Sequence, residues 1–343
     1  RIDQINALLA MSMGCFFRGD YDKGINLSNQ ALEYSLDLNF IKGKANAWRM
    51  HSIHLGRKGD VNESIALSKK SLALAEEIDD TICRMSNLNN MAILYFTMGD
   101  VDTAQKYFHT SLKLAEQENH EENISNVCLN IGVMHEIRGD SEKALAAMHK
   151  ALDYAIKSDN KENTSRIYLN LSRYYIGKKD FDQAGVMIAK GLQIARDFGL
   201  DSLLASAYSK LGQLFMAKGE FETALANFDK SLEIFISMGE KSSIALNLLE
   251  LGKVYHHQKN YDSALLKHSE SLALAEEIGA TNTIINACFW IGQTKATMGH
   301  RQEALEILRT CLKKMPATSN TSLPDVKNLI AILESDIDTL EQE

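Results

Sequence analysis

Apolar positions recur along this chain at helical spacing and, over longer distances, with a period of 40 residues. One leucine marks the same position in each of eight periods: Leu32, Leu72, Leu112, Leu152, Leu192, Leu232, Leu272 and Leu312. Apolar residues three and four apart predict amphipathic helices rather than strands. A fixed period of this length is typical of repeat proteins, in which each unit packs only against its neighbours.

A polar turn interrupts the apolar pattern once in each period. The eight turns fall at 19–20, 59–60, 99–100, 139–140, 179–180, 219–220, 259–260 and 299–300. The first four are glycine followed by aspartate, which predicts a left-handed residue ending one helix and a side-chain cap starting the next. Lys179 and Lys259 replace the glycine, so we expect those two turns to be strained or differently built. Within each repeat, the helices should run from about residue 2 to 18 and from 21 to 36.

Small residues recur at positions where two helices would touch. The position four residues after the turn aspartate is filled by Gly24, Ser64, Ala104, Ala144, Ala184, Ala224, Ala264 and Ala304. Seven residues before the turn glycine stand Ser12, Ser52, Ala92, Gly132, Ser172, Gly212, Gly252 and Gly292. A small side chain at such a position lets the paired helices approach closely.

This pattern of large and small positions resembles the tetratricopeptide repeat (TPR), most clearly at 251–255 (LGKVY) and 219–224 (GEFETA). The common TPR unit has about 34 residues and usually closes with a proline that this chain lacks. The longer period resembles the long-helix subclass of kinesin light chains, a cell-polarity adaptor and bacterial Rap- and PlcR-type peptide receptors. The resemblance implies an all-α, right-handed superhelical solenoid of eight antiparallel helix-turn-helix repeats over 1–320. A capping helix is expected over 321–343.

The capping helix is indicated by an apolar stripe that follows Pro324. Its members have helical spacing: Val326, Leu329, Ile330, Leu333, Ile337 and Leu340. A terminal repeat needs such a cover for its otherwise exposed apolar face. We therefore expect this helix to pack on the eighth repeat.

Charge and composition exclude several classes of function. A net charge of −8 and a pI near 5.7 argue against nucleic-acid binding, which needs clustered lysine and arginine. No apolar stretch approaches the length of a membrane span, so we expect no membrane insertion. Five widely separated cysteines without a paired motif favour a reduced, cytoplasmic protein. Without a catalytic or metal-ligand motif, we expect no catalytic residue, no metal, no cofactor and no enzymatic activity.

The resemblance implies that the first helix of each repeat lines a concave groove. Asparagine takes the same inner position in three successive repeats, although it is a poor helix former. Its carboxamide offers a donor and an acceptor to a peptide backbone, and arginine adds a bidentate partner for a carboxylate. The candidate peptide-binding residues are Asn90, Asn126, Asn130, Arg166, Asn170, Arg173, Lys210 and Gln213. Phe17 and Trp290 are either apolar anchors for a ligand or packing residues.

The leading hypothesis is a non-catalytic adaptor that holds an extended peptide in this groove. One alternative is a peptide-sensing module of a larger bacterial signalling protein, whose effector domain lies outside this chain, which begins at Arg1. Another is a self-associating scaffold that forms homo-oligomers. The asparagine ladder also has a simpler interpretation, as a solvated wall with the partner bound elsewhere.

Overall fold

The computed structural model describes residues 1–314 and 323–340, which form seventeen α-helices and no β-strand. The first sixteen form eight consecutive pairs. They are α1 (Ile2–Arg18) with α2 (Tyr21–Asp37), α3 (Ile41–Lys58) with α4 (Val61–Glu77), α5 (Thr81–Thr97) with α6 (Val101–Gln117), α7 (Glu121–Ile137) with α8 (Ser141–Lys157), α9 (Lys161–Gly177) with α10 (Phe181–Asp197), α11 (Asp201–Lys218) with α12 (Phe221–Met238), α13 (Lys241–His257) with α14 (Tyr261–Ile278), and α15 (Thr281–Thr297) with α16 (Arg301–Lys314).

Each helix packs against the one before it and the one after it, so the pairs stack into a right-handed superhelical solenoid. We call the odd-numbered members α1 to α15 the A helices and the even-numbered members α2 to α16 the B helices. A final helix, α17 (Leu323–Leu340), packs on α15 and α16 through Val326, Leu329 and Leu333. The side chains of Ile337 and Leu340, the last two positions of the predicted stripe, lie outside the described residues.

The turns between paired helices are built alike throughout the array. Glycines end the first helix in the left-handed conformation, for example Gly139 with φ +81°. Lys179 and Lys259 adopt the same conformation, with φ of +60° and +62°. The Lys179 N–H donates to the Ile176 carbonyl at 2.9 Å, as the Gly139 N–H donates three residues back at 3.0 Å. The two lysine turns are therefore strained, as a side chain at positive φ must be, but they are not differently built.

Capping by the turn aspartate occurs in some repeats and fails in others. Asp100 accepts a hydrogen bond from the Thr103 N–H at 3.1 Å, and Asp180 caps α10 in the same way. The prediction is wrong for Asp20, Asp60 and Asp140, whose carboxylates make no cap bond. Asp20 instead forms ion pairs, and Asp140 contacts an imidazole and a guanidinium.

The small positions bring paired helices together in two ways. In the first repeat, the Ser12 hydroxyl donates to the Gly24 carbonyl of the partner helix at 2.8 Å. In the sixth, Gly212 leaves room for the ring of Phe228, which would lie 2.8 Å from any Cβ at that position. Small residues therefore let the paired helices approach closely, either by contact with the partner backbone or by leaving room for a large side chain, as the pattern predicts.

The solenoid closes on itself after seven repeats, which the sequence analysis does not predict. The Thr281 hydroxyl donates to the Lys58 carbonyl at 3.1 Å, and Lys241 Nζ lies 3.7 Å from Asp20 Oδ1. Beside these contacts, Tyr21 packs with residues of the seventh repeat and the turn after it: Ala275, Ile278 and Ala280. We call this contact between the first two turns and residues 241–284 the seam. It converts an open groove into a ring.

Candidate functional site

The ring encloses a cavity of about 1150 Å³ that is lined mainly by the A helices. The first two A helices contribute residues from their C-terminal halves, such as Phe17 and Arg57. The later ones contribute residues at or just before their N-terminal ends, such as Leu200, Glu240 and Thr283. Because the superhelix rises along its axis, each successive A helix contacts the cavity at a point nearer its own N-terminus. The cavity therefore crosses the A helices diagonally.

Carboxamides form the polar part of the cavity wall. They are contributed by α5, α7, α9 and α15: Asn89, Asn90, Asn123, Asn126, Asn130, Asn170 and Asn282. The predicted Asn90, Asn130 and Asn170 are thus brought to one surface, together with Asn126. Asn89, Asn123 and Asn282 were not predicted, because they lie outside the single stripe of each A helix from which the candidates came.

Hydrogen bonds within the protein use the donor groups of the predicted Asn90, Asn130 and Asn170. Asn90 Nδ2 donates to the hydroxyls of Ser52 and Ser68 at 3.2 and 3.1 Å. Asn130 Nδ2 donates to Asn89 Oδ1 at 3.0 Å, and Asn170 Nδ2 donates to a backbone carbonyl at 2.9 Å. Their carbonyl oxygens accept no hydrogen bond from the described residues. The wall therefore offers acceptors, which suit the N–H groups of a polypeptide backbone.

Asn126 differs from these three, because its carboxamide has no hydrogen-bond partner among the described residues. Its side chain is half-buried and lines the cavity on α7. Both its donor and its acceptor are available to a ligand. Among the predicted asparagines, Asn126 is the one whose carboxamide donor and acceptor are both unbonded within the described residues.

Three of the predicted residues do not line the cavity: Arg173, Lys210 and Gln213. Arg173 Nη2 pairs with Glu136 Oε2 at 2.7 Å, and Lys210 Nζ donates to Gln213 Oε1 at 2.9 Å. Burial, with the nearby cations Arg173 and Lys253, lowers the pKa of Lys210 to about 8. These side chains form a separate wall on the A helices of repeats four to eight, which also includes Glu136, Glu250, Lys253 and Trp290 and which we call the late wall.

The predicted arginine that does line the cavity, Arg166, is already paired. Its Nη2 lies 2.6 Å from Glu162 Oε1, one helical turn earlier on α9. A ligand carboxylate would have to compete with this neighbour. The bidentate role expected for Arg166 is therefore weakened by the local ion pair.

The two candidate aromatic anchors have different environments. Phe17 lines the cavity, and 54% of its surface is exposed. Trp290 lies in the late wall, where it stacks on His268 with a centroid distance of 5.9 Å and lies 5.6 Å from Lys253 Nζ. Phe17 is therefore free to contact a ligand, whereas Trp290 packs within the protein.

Five charged residues of the cavity were not predicted from the sequence: Glu162, the partner of Arg166, and four others. Arg49 and Arg57 lie two turns apart on α3, while Asp201 and Glu240 stand at the beginnings of α11 and α13. Arg49 lies immediately beside the predicted inner stripe, so a wider stripe would have found it. Asp201 and Glu240 precede the predicted stripes of their helices. They line the cavity because the superhelical rise brings the starts of α11 and α13 to it.

The described residues hold no group of three or more His, Cys, Asp or Glu side chains arranged to bind a metal ion. Across the same part of the chain, every helix is too short or too polar to cross a lipid bilayer. The groups that line the cavity are amide, guanidinium, carboxylate and apolar side chains.

Comparison with family models identifies the class of protein. A model of the MalT-like TPR region matches residues 90–251, and two tetratricopeptide-repeat models match residues 43–117 and 285–313. A model of anaphase-promoting complex subunit 5 matches residues 214–296. Together the TPR models match more than half of the chain, and the chain belongs to the TPR family. No curated protein matches the sequence.

Solved structures share the fold at low sequence identity. The Rap conjugation gene regulator of plasmid pLS20 in complex with the Phr* peptide is 16% identical, with a TM-score of 0.64 over 79% of this chain and 73% of that one. A Rap protein complexed with competence and sporulation factor is 11% identical, with a TM-score of 0.60 over 100% and 98%. BtubC from P. vanneervenii is 21% identical, with a TM-score of 0.52 over 64% and 92%.

Proposed function

We propose that this TPR protein is a non-catalytic adaptor that binds an extended polypeptide segment in the central cavity. The observation that supports this most directly is the wall of carboxamides on α5, α7 and α9, in which the acceptor oxygens of Asn90, Asn130 and Asn170 accept no hydrogen bond from the described residues. An extended backbone offers N–H groups at regular spacing that such acceptors can bind without reading side chains.

The apolar part of the cavity adds a place for side chains of the segment. Met13, Phe17, Ile53 and Ile93 line it on α1, α3 and α5. Phe17 and Ile93 remain 54% and 40% exposed, so a ligand that covers them gains hydrophobic stabilisation. The cavity therefore combines backbone recognition with an apolar contact.

The peptide-sensing alternative uses the same cavity and adds an effector outside it. Two of the similar structures are Rap proteins described as complexes with a Phr* peptide and with competence and sporulation factor. That similarity supports peptide binding as a property of this superhelix. Peptide binding in the cavity is common to the adaptor and to the peptide-sensing alternative.

A triple variant, Asn126→Ala with Asn130→Ala and Asn170→Ala, tests the proposal. Peptides would be selected on the wild-type protein from a synthetic random octapeptide library, and their affinities measured by isothermal titration calorimetry. Each lost hydrogen bond is worth about 0.5–1.5 kcal/mol, so we expect the triple variant to weaken binding by about 10- to 100-fold or more.

Asn227→Ala is the matched control. This asparagine lies on α12, outside the cavity, and donates to a carbonyl four residues back as Asn170 does. It should bind the selected peptides with wild-type affinity. Equal binding by the wild type and the triple variant, with circular dichroism unchanged, would refute the cavity as the binding site.

A further inference from the structure

The charges that line the cavity divide into paired and unpaired groups. Glu162 and Arg166 neutralise each other at 2.6 Å. The remaining four, Arg49, Arg57, Asp201 and Glu240, form no ion pair within the described part of the chain. In the late wall, by comparison, the arginine and one lysine lie 2.7 Å from a glutamate, and Lys210 donates to Gln213.

The two unpaired cations lie on α3. The Arg49 guanidinium donates only a long 3.4 Å bond to Asn46 and contacts the Cys83 thiol, and its buried Nε has no partner. The nearest carboxylate acting on it, Asp80, forms its own ion pair with Lys42 at 3.0 Å. An under-used guanidinium beside a cavity is a ready partner for a carboxylate.

Arg57 completes the cationic end of the cavity. Its guanidinium is exposed and lies 4.9 Å from the centroid of the Phe16 ring. This contact orients the side chain without neutralising it. Arg49 and Arg57 are eight residues apart, so both face the cavity from the same side of α3.

The unpaired carboxylates lie on the other side of the seam. Glu240 is only 5% exposed, and its carboxylate accepts hydrogen bonds from the hydroxyls of Ser243 and Ser202 at 3.0 and 3.4 Å. Asp201, at the beginning of α11, is exposed. The two serines fix the position of Glu240, but no cation balances its charge. A buried carboxylate in this state favours a cationic ligand group.

The helix order places the asparagine wall between these two ends. Following the ring from α13 and α11, the inner wall presents carboxamides on α9, α7 and α5 before it reaches α3. An extended segment that follows those carboxamides has one end at the carboxylates and the other at the guanidinium groups.

We propose that the cavity binds its peptide in one direction, with a ligand carboxylate at Arg49 and Arg57 and a cationic group at Asp201 and Glu240. This proposal rests on the proposed function. The ligand is then a dipolar segment, whose charges come from its free termini or from its acidic and basic side chains. A segment with the opposite order of charges would place like charges together at both ends.

The test uses the octapeptides selected above, with each peptide synthesised in four forms. These are the free peptide, the C-terminal amide, the N-terminal acetyl derivative, and a form with both ends blocked and its charged side chains replaced by alanine. Affinities are measured for Arg49→Met, Arg57→Met, Asp201→Asn and Glu240→Gln. The controls, Arg196→Met and Glu142→Gln, change exposed residues on α10 and α8 that do not line the cavity.

We expect Arg49→Met and Asp201→Asn each to weaken binding of the free peptide by about tenfold or more. The Arg49→Met loss should disappear once the peptide's carboxylate is removed, and the Asp201→Asn loss once its cationic group is removed. If the effect of a variant disappears when the corresponding peptide end is blocked, the free terminus supplies the charge that the residue binds. Loss only on alanine substitution identifies the side chains. Asp201 is exposed, so Asp201→Asn keeps the test valid if Glu240→Gln destabilises the fold.

Two results would overturn the direction while leaving the proposed function intact. In one, the affinity loss of Arg49→Met depends on the peptide's amino group and that of Asp201→Asn depends on its carboxylate. In the other, all four charge variants bind like the controls, although the asparagine triple variant loses affinity. If no octapeptide binds the wild type above the level seen with the triple variant, the proposed function and this inference both fail.

Discussion

The same position of the repeat serves two purposes in two regions of the ring. In repeats three to five it holds Asn90, Asn130 and Asn170, which line the cavity. In repeats six to eight it holds Lys210, Glu250 and Trp290, which do not. The helices are alike in length and packing, so the difference comes from the superhelical rise. Whether a residue contacts the cavity depends on its position along the superhelix axis as well as on its position in the repeat.

The two regions also treat charge differently. In the late wall, Arg173 pairs with Glu136 and Lys253 pairs with Glu250, each at 2.7 Å, and Lys210 donates to the side chain of Gln213. The cavity leaves Arg49 and Glu240 without ion-pair partners among the described residues. Self-neutralised charges stabilise a wall, whereas unpaired charges beside a cavity are more typical of a site that a ligand completes.

Acidification gives the largest effect that we expect, and it acts on both regions. His54, in the cavity region, and His268, beneath the late wall, are fully buried. Burial lowers the pKa of His54 to about 4 and that of His268 to about 3. The folded protein therefore binds fewer protons than the unfolded chain. Stability is complete above about pH 6.5 and is lost as the pH falls toward those values, by about 2 kcal/mol for each histidine at pH 5.

Urea unfolding at pH 7.5 and pH 5.0 measures this loss. His54→Leu and His268→Leu should each reduce the difference between the two pH values by about 2 kcal/mol, and the exposed His149→Gln should leave it unchanged. Amide hydrogen exchange at pH 5 shows which region opens first. An unchanged pH dependence in the double variant would mean that other groups cause the acid sensitivity.

Locking the seam gives the next largest effect. A Cβ built on Gly59 would lie 3.4 Å from Thr281 Cβ, close to the separation found in disulfides. Gly59→Cys with Thr281→Cys should therefore crosslink under mild oxidation and stabilise the ring by about 2–4 kcal/mol. Cysteine at the positive φ of Gly59 offsets about 1–2 kcal/mol of that gain.

Mass spectrometry and unfolding with and without reductant measure the crosslink. Gly139→Cys with Thr281→Cys is the control, because nothing outside its immediate chain neighbours lies within 4 Å of a Cβ at Gly139. All five native cysteines are buried, so they compete little for the oxidant. Failure of the 59–281 pair to crosslink would show that the seam is open in solution and that the cavity is an open groove.

The helices and turns were predictable because local interactions determine them. Helix α1 ends at Arg18, just before Gly19, where a left-handed residue and the following polar turn prevent its continuation. The small residues facing Gly24 and Phe228 were identified from their spacing alone. Such features repeat every 40 residues, so each copy reinforces the interpretation of the others.

The seam and the limits of the cavity were not predictable in this way. Whether Lys58 meets Thr281 depends on small rotations summed over the intervening helices, and no single repeat encodes that sum. Arg49 and Glu240 became cavity residues for the same reason. The sequence indicated which side chains face inward, whereas the superhelix decides which of them face each other.

A direct comparison of the two regions is the third test. Lys210→Met with Gln213→Ala removes an internal contact of the late wall, so we expect selected peptides to bind this variant within about twofold of the wild type. Asn126→Ala alone should weaken binding by about three- to tenfold, because its carboxamide is free for a ligand. Calorimetry measures both. A loss confined to the Lys210 variant would reverse the assignment and move the site to the late wall.

The smallest effect concerns the two strained turns, both of which follow A helices of the late wall. Lys179→Gly removes a side chain from a left-handed position, which should stabilise the protein by about 0.5–1 kcal/mol after the entropy of glycine is subtracted. Lys178→Gly is the matched control, because Lys178 has φ −85° and gains nothing from glycine. Urea unfolding should show opposite signs for the two neighbours. If Lys179→Gly destabilises the protein instead, the lysine side chain contributes more to the turn than its backbone conformation costs.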